Sequence, residues 1–415
     1  MQKSITLLSS AWYGDSLLSL RFPADWETII VKQPVHSAMS EFDIKRRMQN
    51  PVGTPALSEL VRGKKRITIL IDDIQRPTPI SKIIPCVLEE LIKGGSCRAQ
   101  IVIVMAVAGH RAATPEDFAK KLGADIANGF QTISHDCRRN LLYLGRTTRG
   151  TPIYVNRLVA ESNLKIGISG IYPNEKAGFG GGSKIIHPGI CGFETIQYLH
   201  NRMKGVPRGG TIDNEFRADI EEIAEKVGLD FSVNILINQN REVSHLFCGD
   251  RMHAYREGVA AARSAYGVRP IMDADVVIAN IYPFDTSLHF ISKGLWPLNF
   301  GKDGRDRVAI ASCPEGLGYH ALSLQSIPGW AGFFRRMRAL SYSDIKYFPC
   351  RIRKRETEFL FFSPTVKRNM LKKIYPTAIL FNTWAKLIQN LMDKHKKLPV
   401  KVAIYSCSPL QIPIV

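Results

Sequence analysis

The sequence lacks the features that mark membrane and secreted proteins. Its longest purely apolar run, residues 101–108, is far shorter than the ~18–20 residues that a membrane-spanning helix requires. The N-terminus has no continuous apolar stretch followed by small residues, which is the pattern of a secretion signal. We therefore expect a cytoplasmic protein that has no membrane partner.

Cysteines are few and widely spaced. The 415 residues include eight of them, and no two form a CxxC pair. This spacing argues against a zinc ribbon, and a chain of this length does not need a disulfide framework. We expect free thiols in a reducing compartment.

Acidic residues are scarce relative to basic ones. The chain has 37 Asp and Glu against 56 Lys and Arg, which gives a formal net charge of +19. The excess is concentrated in the C-terminal part, notably at 351–355 and 394–397. Such a surplus favours anionic partners, although it also describes an ordinary solvated basic surface. No DNA- or RNA-binding motif accompanies it, so nucleic acid is the least supported partner.

The apolar pattern predicts an α/β protein. Strand, loop and helix alternate at 67–71, 80–93, 99–108 and 114–121, which is typical of a mostly parallel sheet flanked by helices. Thr114 and Pro115 have the positions of an N-cap and a first helical residue.

A second domain of the same class is predicted in the C-terminal part. Strands are expected at 274–280, 307–311 and 399–405, with a helix at 285–295. At roughly 100–200 residues per domain, we predict two domains, 1–268 and 269–415. The first 60 residues are expected to form short strands and loops, and the segment 330–375 has no clear assignment.

Polar clusters follow the first two strands of the N-terminal domain. Asp73 and Arg76 lie in the proline-flanked loop 73–79, and His110 follows the strand at 99–108. Functional loops of parallel sheets lie at the carboxyl ends of the strands. Asp73 and Arg76 either brace the turn as a pair or point into a cleft, where Arg binds carboxylates well. His110 suits general acid–base chemistry.

A glycine-rich loop follows the strand predicted at 164–169. Residues 178–184 read GFGGGSK, which differs from the phosphate-binding order GxxxxGK[ST]. Its glycines allow a ligand to approach the backbone closely. Lys184 is then an anion clamp, a covalent anchor or an exposed loop residue. His187 and His200 follow, and neither indicates a function by itself.

Taken together, these segments resemble the lactate racemase family in order and spacing. The resemblance implies a nickel-pincer nucleotide, which is a nicotinate-derived cofactor attached covalently to a lysine, here Lys184. It assigns His200 as the nickel ligand of the protein. The residues that it places at the cofactor are Asp73, Gly181, Gly182, Pro188 and Gly189. It also implies partner enzymes that make the cofactor, and without them the protein would be an apo form.

The resemblance further implies an isomerase that acts on a small anionic 2-hydroxy acid. Hydride abstraction and return through a planar 2-keto acid would invert the centre, with the hard chemistry supplied by the cofactor. Arg76 and Lys293 are implied to hold the substrate, and His110 matches one of two catalytic histidines.

Two departures from the family pattern bear on the substrate. Asn174 stands where the family has its second catalytic histidine, and an amide cannot take up a proton at neutral pH. Glu175 or Lys176 is a possible substitute, or His110 acts alone. Phe290 replaces a glutamine, which enlarges the pocket, makes it more apolar or moves its polar end to His289. We therefore expect a paralogue with a substrate other than lactate; the alternative is an inactive relative that binds the cofactor or an anionic ligand.

Overall fold

The computed structural model describes residues 2–202, 206, 209–326, 350–352, 354–396 and 399–414. Residues 330–349 and 353 of the basic and aromatic segment at 330–375, which has no assignment from the sequence, lie outside these residues, as do parts of the basic clusters at 351–355 and 394–397. The described chain divides into two compact units. We call residues 36–264 the central unit, and residues up to 35 with those from 265 onward the terminal unit.

The strands fall into three groups along the chain. The first 35 residues contribute β1 Gln2–Ser9, β2 Ser16–Pro23 and β3 Glu27–Val31. The central unit follows with β4 Ile67–Asp72, β5 Ile101–Ala106, β6 Gln131–Ser134, β7 Leu141–Arg146, β8 Pro152–Asn156, β9 Leu164–Gly170, β10 Pro173–Asn174, β11 Gly178–Phe179, β12 Phe231–Ile237 and β13 Val243–Gly249. The remaining strands are β14 Gly267–Val268, β15 Val276–Asn280, β16 Asp306–Ile310, β17 Leu324–Ser326, β18 Cys350–Ile352, β19 Leu360–Phe362, β20 Ile379–Phe381, β21 Lys401–Tyr405 and β22 Ile412–Pro413.

Helices separate most of these strands. They are α1 Glu41–Gln49, α2 Leu57–Leu60, α3 Ile84–Lys93, α4 Pro115–Leu122, α5 Ala124–Gly129, α6 Arg157–Ala160, α7 Phe193–Arg202, α8 Glu215–Val227, α9 His253–Tyr266, α10 Arg368–Ile374 and α11 Trp384–Lys394. Short 3-10 helices lie at Ile80–Lys82, Arg98–Gln100, Gly182–Ile185, Ile291–Gly294, Trp296–Asn299 and Ala321–Ser323.

The start of α4 shows how local sequence fixes an element. The Asp117 N–H donates to Thr114 Oγ1 at 3.2 Å, and the Thr114 N–H donates to Asp117 Oδ2 at 2.8 Å. Pro115 occupies the first helical position, where its missing N–H costs no hydrogen bond. The reciprocal cap confirms the predicted helix start.

The central unit is built on a six-stranded sheet in the order β13-β12-β9-β4-β5-β6. All neighbours are parallel except β12 and β13. Every residue of β4 and of β9 is buried, as expected for parallel strands that are covered on both faces.

The terminal unit contains a second six-stranded sheet, in the order β20-β19-β16-β15-β21-β3, and all of its pairs are parallel. Alternate residues of β15 enter two different cores. Val276 and Ile278 pack with Trp384 of α11, whereas Val277 and Ala279 pack with Leu371 of α10. This alternation follows from the two-residue period of a strand and places helices on both faces.

The predicted fold class is confirmed: two α/β units, each with a mostly parallel sheet flanked by helices. The division differs from the predicted domains 1–268 and 269–415 over the first 35 residues. The reason is that β3 pairs in parallel with β21 and completes the edge of the terminal sheet.

Two local predictions from the sequence were wrong. The helix expected at 285–295 is absent apart from the 3-10 turn Ile291–Gly294. The backbone of 285–289 pairs instead with 313–317, for example through Cys313 N–H to Asp285 O at 2.8 Å and Leu288 N–H to Gly316 O at 2.9 Å. Helix α1 lies in a segment expected to hold only strands and loops, and Ser40 caps it by accepting from the Asp43 N–H.

The structure also bears on membranes and thiols. Within the described residues, no helix combines the length and the apolar character required to cross a bilayer. Each of the seven cysteines whose side chains are described is a free thiol, as the sequence predicted.

Candidate active site

Three neighbouring strands of the central sheet end at one edge. The parallel register aligns Asp72 with Ala106 and Ile71 with Ile168, so the loops after β4, β5 and β9 meet. The Gly170 N–H donates to Asp72 Oδ2 at 3.1 Å. These strand ends bring together the polar segments that the sequence singled out.

Asp73 and His110 form a buried pair at this edge. His110 Nδ1 is hydrogen-bonded to Asp73 Oδ2, and the two side chains are 8% and 5% exposed. Burial alone would raise the pKa of Asp73, but His110, Arg76 and Lys121 outweigh it and hold that pKa below its usual range. An ionised carboxylate therefore orients the imidazole through Nδ1 and directs Nε2 away from itself.

Arg76 lies on the same turn. Its backbone N–H donates to Asp73 O at 2.9 Å, and its guanidinium donates to Gln75 O at 3.2 Å. The side chain is partly exposed, whereas Asp73 and Gln75 are buried. The structure thus brings Asp73, Arg76 and His110 together, and a guanidinium beside an oriented imidazole suits an anionic substrate with an exchangeable proton.

A second buried ion pair supports this loop. Lys121 Nζ, fully buried, donates to Asp72 Oδ1 at 2.6 Å, to Arg76 O at 2.9 Å and to Thr78 O at 3.2 Å. Thr78 Oγ1 donates to the other carboxylate oxygen, Asp72 Oδ2, at 2.5 Å. Burial lowers the pKa of Lys121, and the Asp72 carboxylate opposes that shift. These hydrogen bonds therefore hold the loop that carries Arg76 in place.

The glycine-rich loop has a conformation that requires glycine. Gly182 has φ +55°, and a Cβ there would lie 2.9 Å from Arg217 Nη2 and from the Tyr255 ring. At Gly189 a Cβ would lie 2.0 Å from Ile185 O. The Gly189 carbonyl also accepts from the Ala108 N–H at 2.9 Å, which joins this segment to the His110 loop. Gly182 and Gly189 therefore pack closely against neighbouring parts of the protein. That these two residues, Gly181 and Pro188 contact a cofactor stays a prediction.

Lys184, His187 and His200 surround one aromatic ring, and with it we call them the Phe216 group. Lys184 Nζ lies 5.4 Å from the centre of the Phe216 ring. The rings of His187 and His200 lie 6.1 Å and 5.2 Å from it and 5.7 Å from each other. The predicted cofactor lysine and the predicted nickel ligand are therefore neighbours.

His200 has the tautomer that a metal ligand needs. Its Nδ1 donates to Ile196 O, one turn earlier on α7, at 2.9 Å. A neutral imidazole with its proton on Nδ1 carries its lone pair on Nε2. Metal-binding histidines are commonly oriented by a carbonyl in this way.

His187 is the residue that sequence reasoning undervalued. The ring is completely buried, and neither nitrogen has a hydrogen-bond partner. Burial, together with His200 and Lys184, holds the pKa of His187 well below its usual range. An imidazole whose surroundings favour the neutral form therefore lies beside His200. The sequence does not reveal this burial, because the rings that pack against His187 belong to His200 and Phe216, on two later helices.

The Phe216 group fits a metal that arrives on an organic group. Within the part of the chain that the structure describes, no cluster of three or more His, Cys, Asp or Glu could hold a metal ion. Cys191 donates to Ile186 O at 3.2 Å, and burial raises the pKa of its thiol, so it is a poor ligand. The residues present therefore fit a cofactor that would bring most of the ligands of its metal itself.

The chain is similar to proteins of known function. The family of lactate racemase N-terminal domains matches residues 13–211. The lactate racemase of Thermoanaerobacterium thermosaccharolyticum is 31% identical over 319 residues, which cover 74% of each chain. This chain belongs to the lactate racemase family.

Further comparisons agree with that membership. The lactate racemase of Lactiplantibacillus plantarum is 29% identical over 302 residues, 69% of this chain and 71% of that one. The structure of the T. thermosaccharolyticum lactate racemase apoprotein covers 100% of both chains with a TM-score of 0.73 at 23% identity. A Thermotoga maritima protein of known structure shares the fold with a TM-score of 0.62 at 17% identity, over 91% of this chain and 98% of that one.

The two residues at which the sequence is expected to depart from the family pattern lie in different units. In the central unit, Asn174 is the last residue of β10 before the turn to β11, and its Oδ1 accepts from the Lys176 and Ala177 N–H groups at 2.9 Å each. In the terminal unit, Phe290 is 3% exposed, and its ring centre lies 6.2 Å from that of His320. Lys293 is half-buried on the following 3-10 turn, and its role at the substrate stays a prediction.

The Asp72–Lys121 pair gives a first prediction. In Lys121→Met the buried Asp72 carboxylate loses its cation, so we expect the free energy of unfolding to fall by about 3–5 kcal/mol. Urea denaturation measures this change. The control is Lys120→Met, because Lys120 pairs with the exposed Glu116 and its loss should cost about 0–1 kcal/mol. Equal, small losses in both variants would show that the pair does not stabilise the loop.

Proposed function

We propose that this protein is a racemase or epimerase of a 2-hydroxy acid that uses a nickel-pincer nucleotide attached to Lys184. Membership of the lactate racemase family supports a racemase-type reaction. The observation that carries the proposal is the gathering of Lys184 and His200 around Phe216, in the same unit as the Asp73–His110 pair.

Some of these residues hold the cofactor or the substrate, and others transfer a proton. Lys184 anchors the cofactor through its side-chain nitrogen, and His200 Nε2 binds nickel, a metal for which imidazole is a suitable ligand. When bound, the cofactor would supply the hydride-transfer chemistry. His110 takes the proton of the substrate hydroxyl, and the adjacent Asp73 carboxylate stabilises the resulting imidazolium. Arg76 holds the substrate carboxylate.

We propose a substrate with a longer chain than lactate. The Asn174 side-chain oxygen is committed to the hairpin turn, so this residue contributes no base. Phe290 offers an apolar surface where an amide would offer a polar one. An apolar residue in place of an amide discriminates against a small substrate, which would leave polar groups unpaired and space unfilled.

The attachment to Lys184 is tested by intact-mass and nickel analysis of protein produced together with the cofactor-making enzymes. Wild type should carry the mass of the cofactor and one nickel. Lys184→Ala should lose the added mass and most of the nickel while its circular dichroism is unchanged. Lys226→Ala, which removes an exposed lysine of α8, is the control. Added mass that persists in Lys184→Ala contradicts the attachment.

The role of His110 is tested by comparison with Asn174. His110→Ala should lower kcat by roughly 10²–10⁴-fold, the usual contribution of general acid–base catalysis. Asn174→Ala removes the acceptor of two hairpin N–H groups, so we expect mainly a higher KM. Asn174→Asp keeps that acceptor and should restore KM. An equal fall in kcat for Asn174→Ala at unchanged KM would assign it a chemical role.

The substrate class is tested with single enantiomers of lactate, malate, phenyllactate and gluconate, each deuterated at C2. Loss of stereochemical purity reports turnover, and we expect lactate to be the slowest of the four. Fastest turnover of lactate would contradict the proposed longer substrate. No turnover by fully loaded protein would favour the alternative that the Asn174 position raises, a family member that binds the cofactor or an anionic ligand without racemising it.

A further inference from the structure

His187 is a buried polar side chain whose ring nitrogens are poorly satisfied by the protein. Its exposed fraction is 0%, and neither Nδ1 nor Nε2 makes a hydrogen bond of normal geometry, although the Thr195 backbone is a polar neighbour of the ring. An imidazole in this situation has lost its hydration without replacing it, which is unfavourable. Such a group persists where something outside the chain completes its contacts.

The surroundings of His187 restrict what that group can be. Phe216 packs edge-on against the ring at 73°, within an apolar cluster that also contains Ala177, Leu199 and Ile220. A buried water needs two to four polar partners, and these apolar side chains offer none, which leaves only the Thr195 backbone on this side of the ring. Lys184, which lies against the same Phe216 ring, offers hydrogen-bond donors and is no acceptor for His187.

The neighbouring histidine points to a metal. The ring centres of His187 and His200 are 5.7 Å apart, and Phe216 packs edge-on against both. Two imidazoles on one ion, each with its nitrogen about 2.1 Å from the metal, have ring centres roughly 4.5–6.4 Å apart. The observed separation lies within that range before any ion is bound.

We propose that His187 and His200 bind the same divalent metal ion, so that the metal site has two imidazole ligands. The identity of the metal as nickel rests on the proposed function, whereas the pairing rests on the geometry of the two rings. The second imidazole explains why a histidine occupies a fully buried position among apolar side chains. Its expected effect is to slow the loss of metal from the protein.

The decisive measurement is X-ray absorption at the nickel edge on protein produced with the cofactor-making enzymes. The scattering pattern of imidazole counts histidine ligands. We expect two in wild type and one in His187→Leu, with nickel lost to a chelator at least roughly tenfold faster from the variant. His253→Leu, which replaces a largely exposed histidine of the same unit, should match wild type. One imidazole in both wild type and His187→Leu would overturn the proposal.

Stability of the metal-free protein separates a ligand from a structural residue. If His187 has no partner without metal, His187→Leu replaces an unsatisfied polar ring by an apolar side chain, and Tm should be equal or higher. A lower Tm combined with unchanged nickel retention would show that His187 only supports the fold, and the pairing would be wrong.

The proposed function and this inference can fail separately. Absence of the added mass on Lys184 in wild type contradicts the proposed function. The pairing is then decided by Co²⁺ alone, titrated into the metal-free protein and followed by its visible absorption. Wild type should bind Co²⁺ at least roughly tenfold more tightly than either His187→Leu or His200→Leu, since each variant removes one of two ligands. Equal affinities in wild type and His187→Leu would overturn the pairing.

Discussion

The ion pair between Asp72 and Lys121 is the interaction on which the candidate site depends. It lies at the end of a fully buried strand, where each charge would be costly alone. The same two side chains also bind the loop backbone at Arg76 and the start of the next loop at Gly170. Lys121 donates three hydrogen bonds and Asp72 accepts three, so the loops after β4 and β9 hold a fixed relation to α4 that packing of short polar segments would not provide.

The central unit contains two electrostatic environments that suit two kinds of histidine. Beside His110, an ionised carboxylate fixes the orientation of the imidazole through Nδ1. Around Phe216, burial and a neighbouring cation favour an imidazole that stays neutral and offers a lone pair. The two environments match the two roles that we propose for these histidines, proton transfer and metal binding.

The sequence was sufficient for the parts of this structure that depend on local pattern. Buried strands such as β4 and the capped start of α4 are visible in apolar runs and cap residues, and parallel pairing then brings Asp73 and His110 together. Contacts between distant segments were not visible. Lys121 reads as one of two basic residues at a helix end, and nothing local reveals that it is fully buried.

The helix predicted at 285–295 was wrong for the same reason, namely contacts between distant segments. Its apolar spacing is helical, but its backbone hydrogen bonds go to a segment nearly thirty residues later. The Asp285 side chain is likewise occupied by the N–H groups of Ser10 and Ala11, at 2.8 and 3.1 Å. Partners so far away in sequence outweigh local propensity and leave no periodic trace.

The position of β3 has a consequence for how the chain is made. Val31 accepts a hydrogen bond from Gln411, 380 residues further along, and β3 finds its only strand neighbour among the described residues in β21. On a ribosome the first strands therefore emerge long before the strand they pair with. All six strands of the central sheet lie between β3 and β21 in the sequence. The central unit can therefore fold before β21 has been synthesised. The order of synthesis thus favours a folded central unit before the terminal sheet is complete.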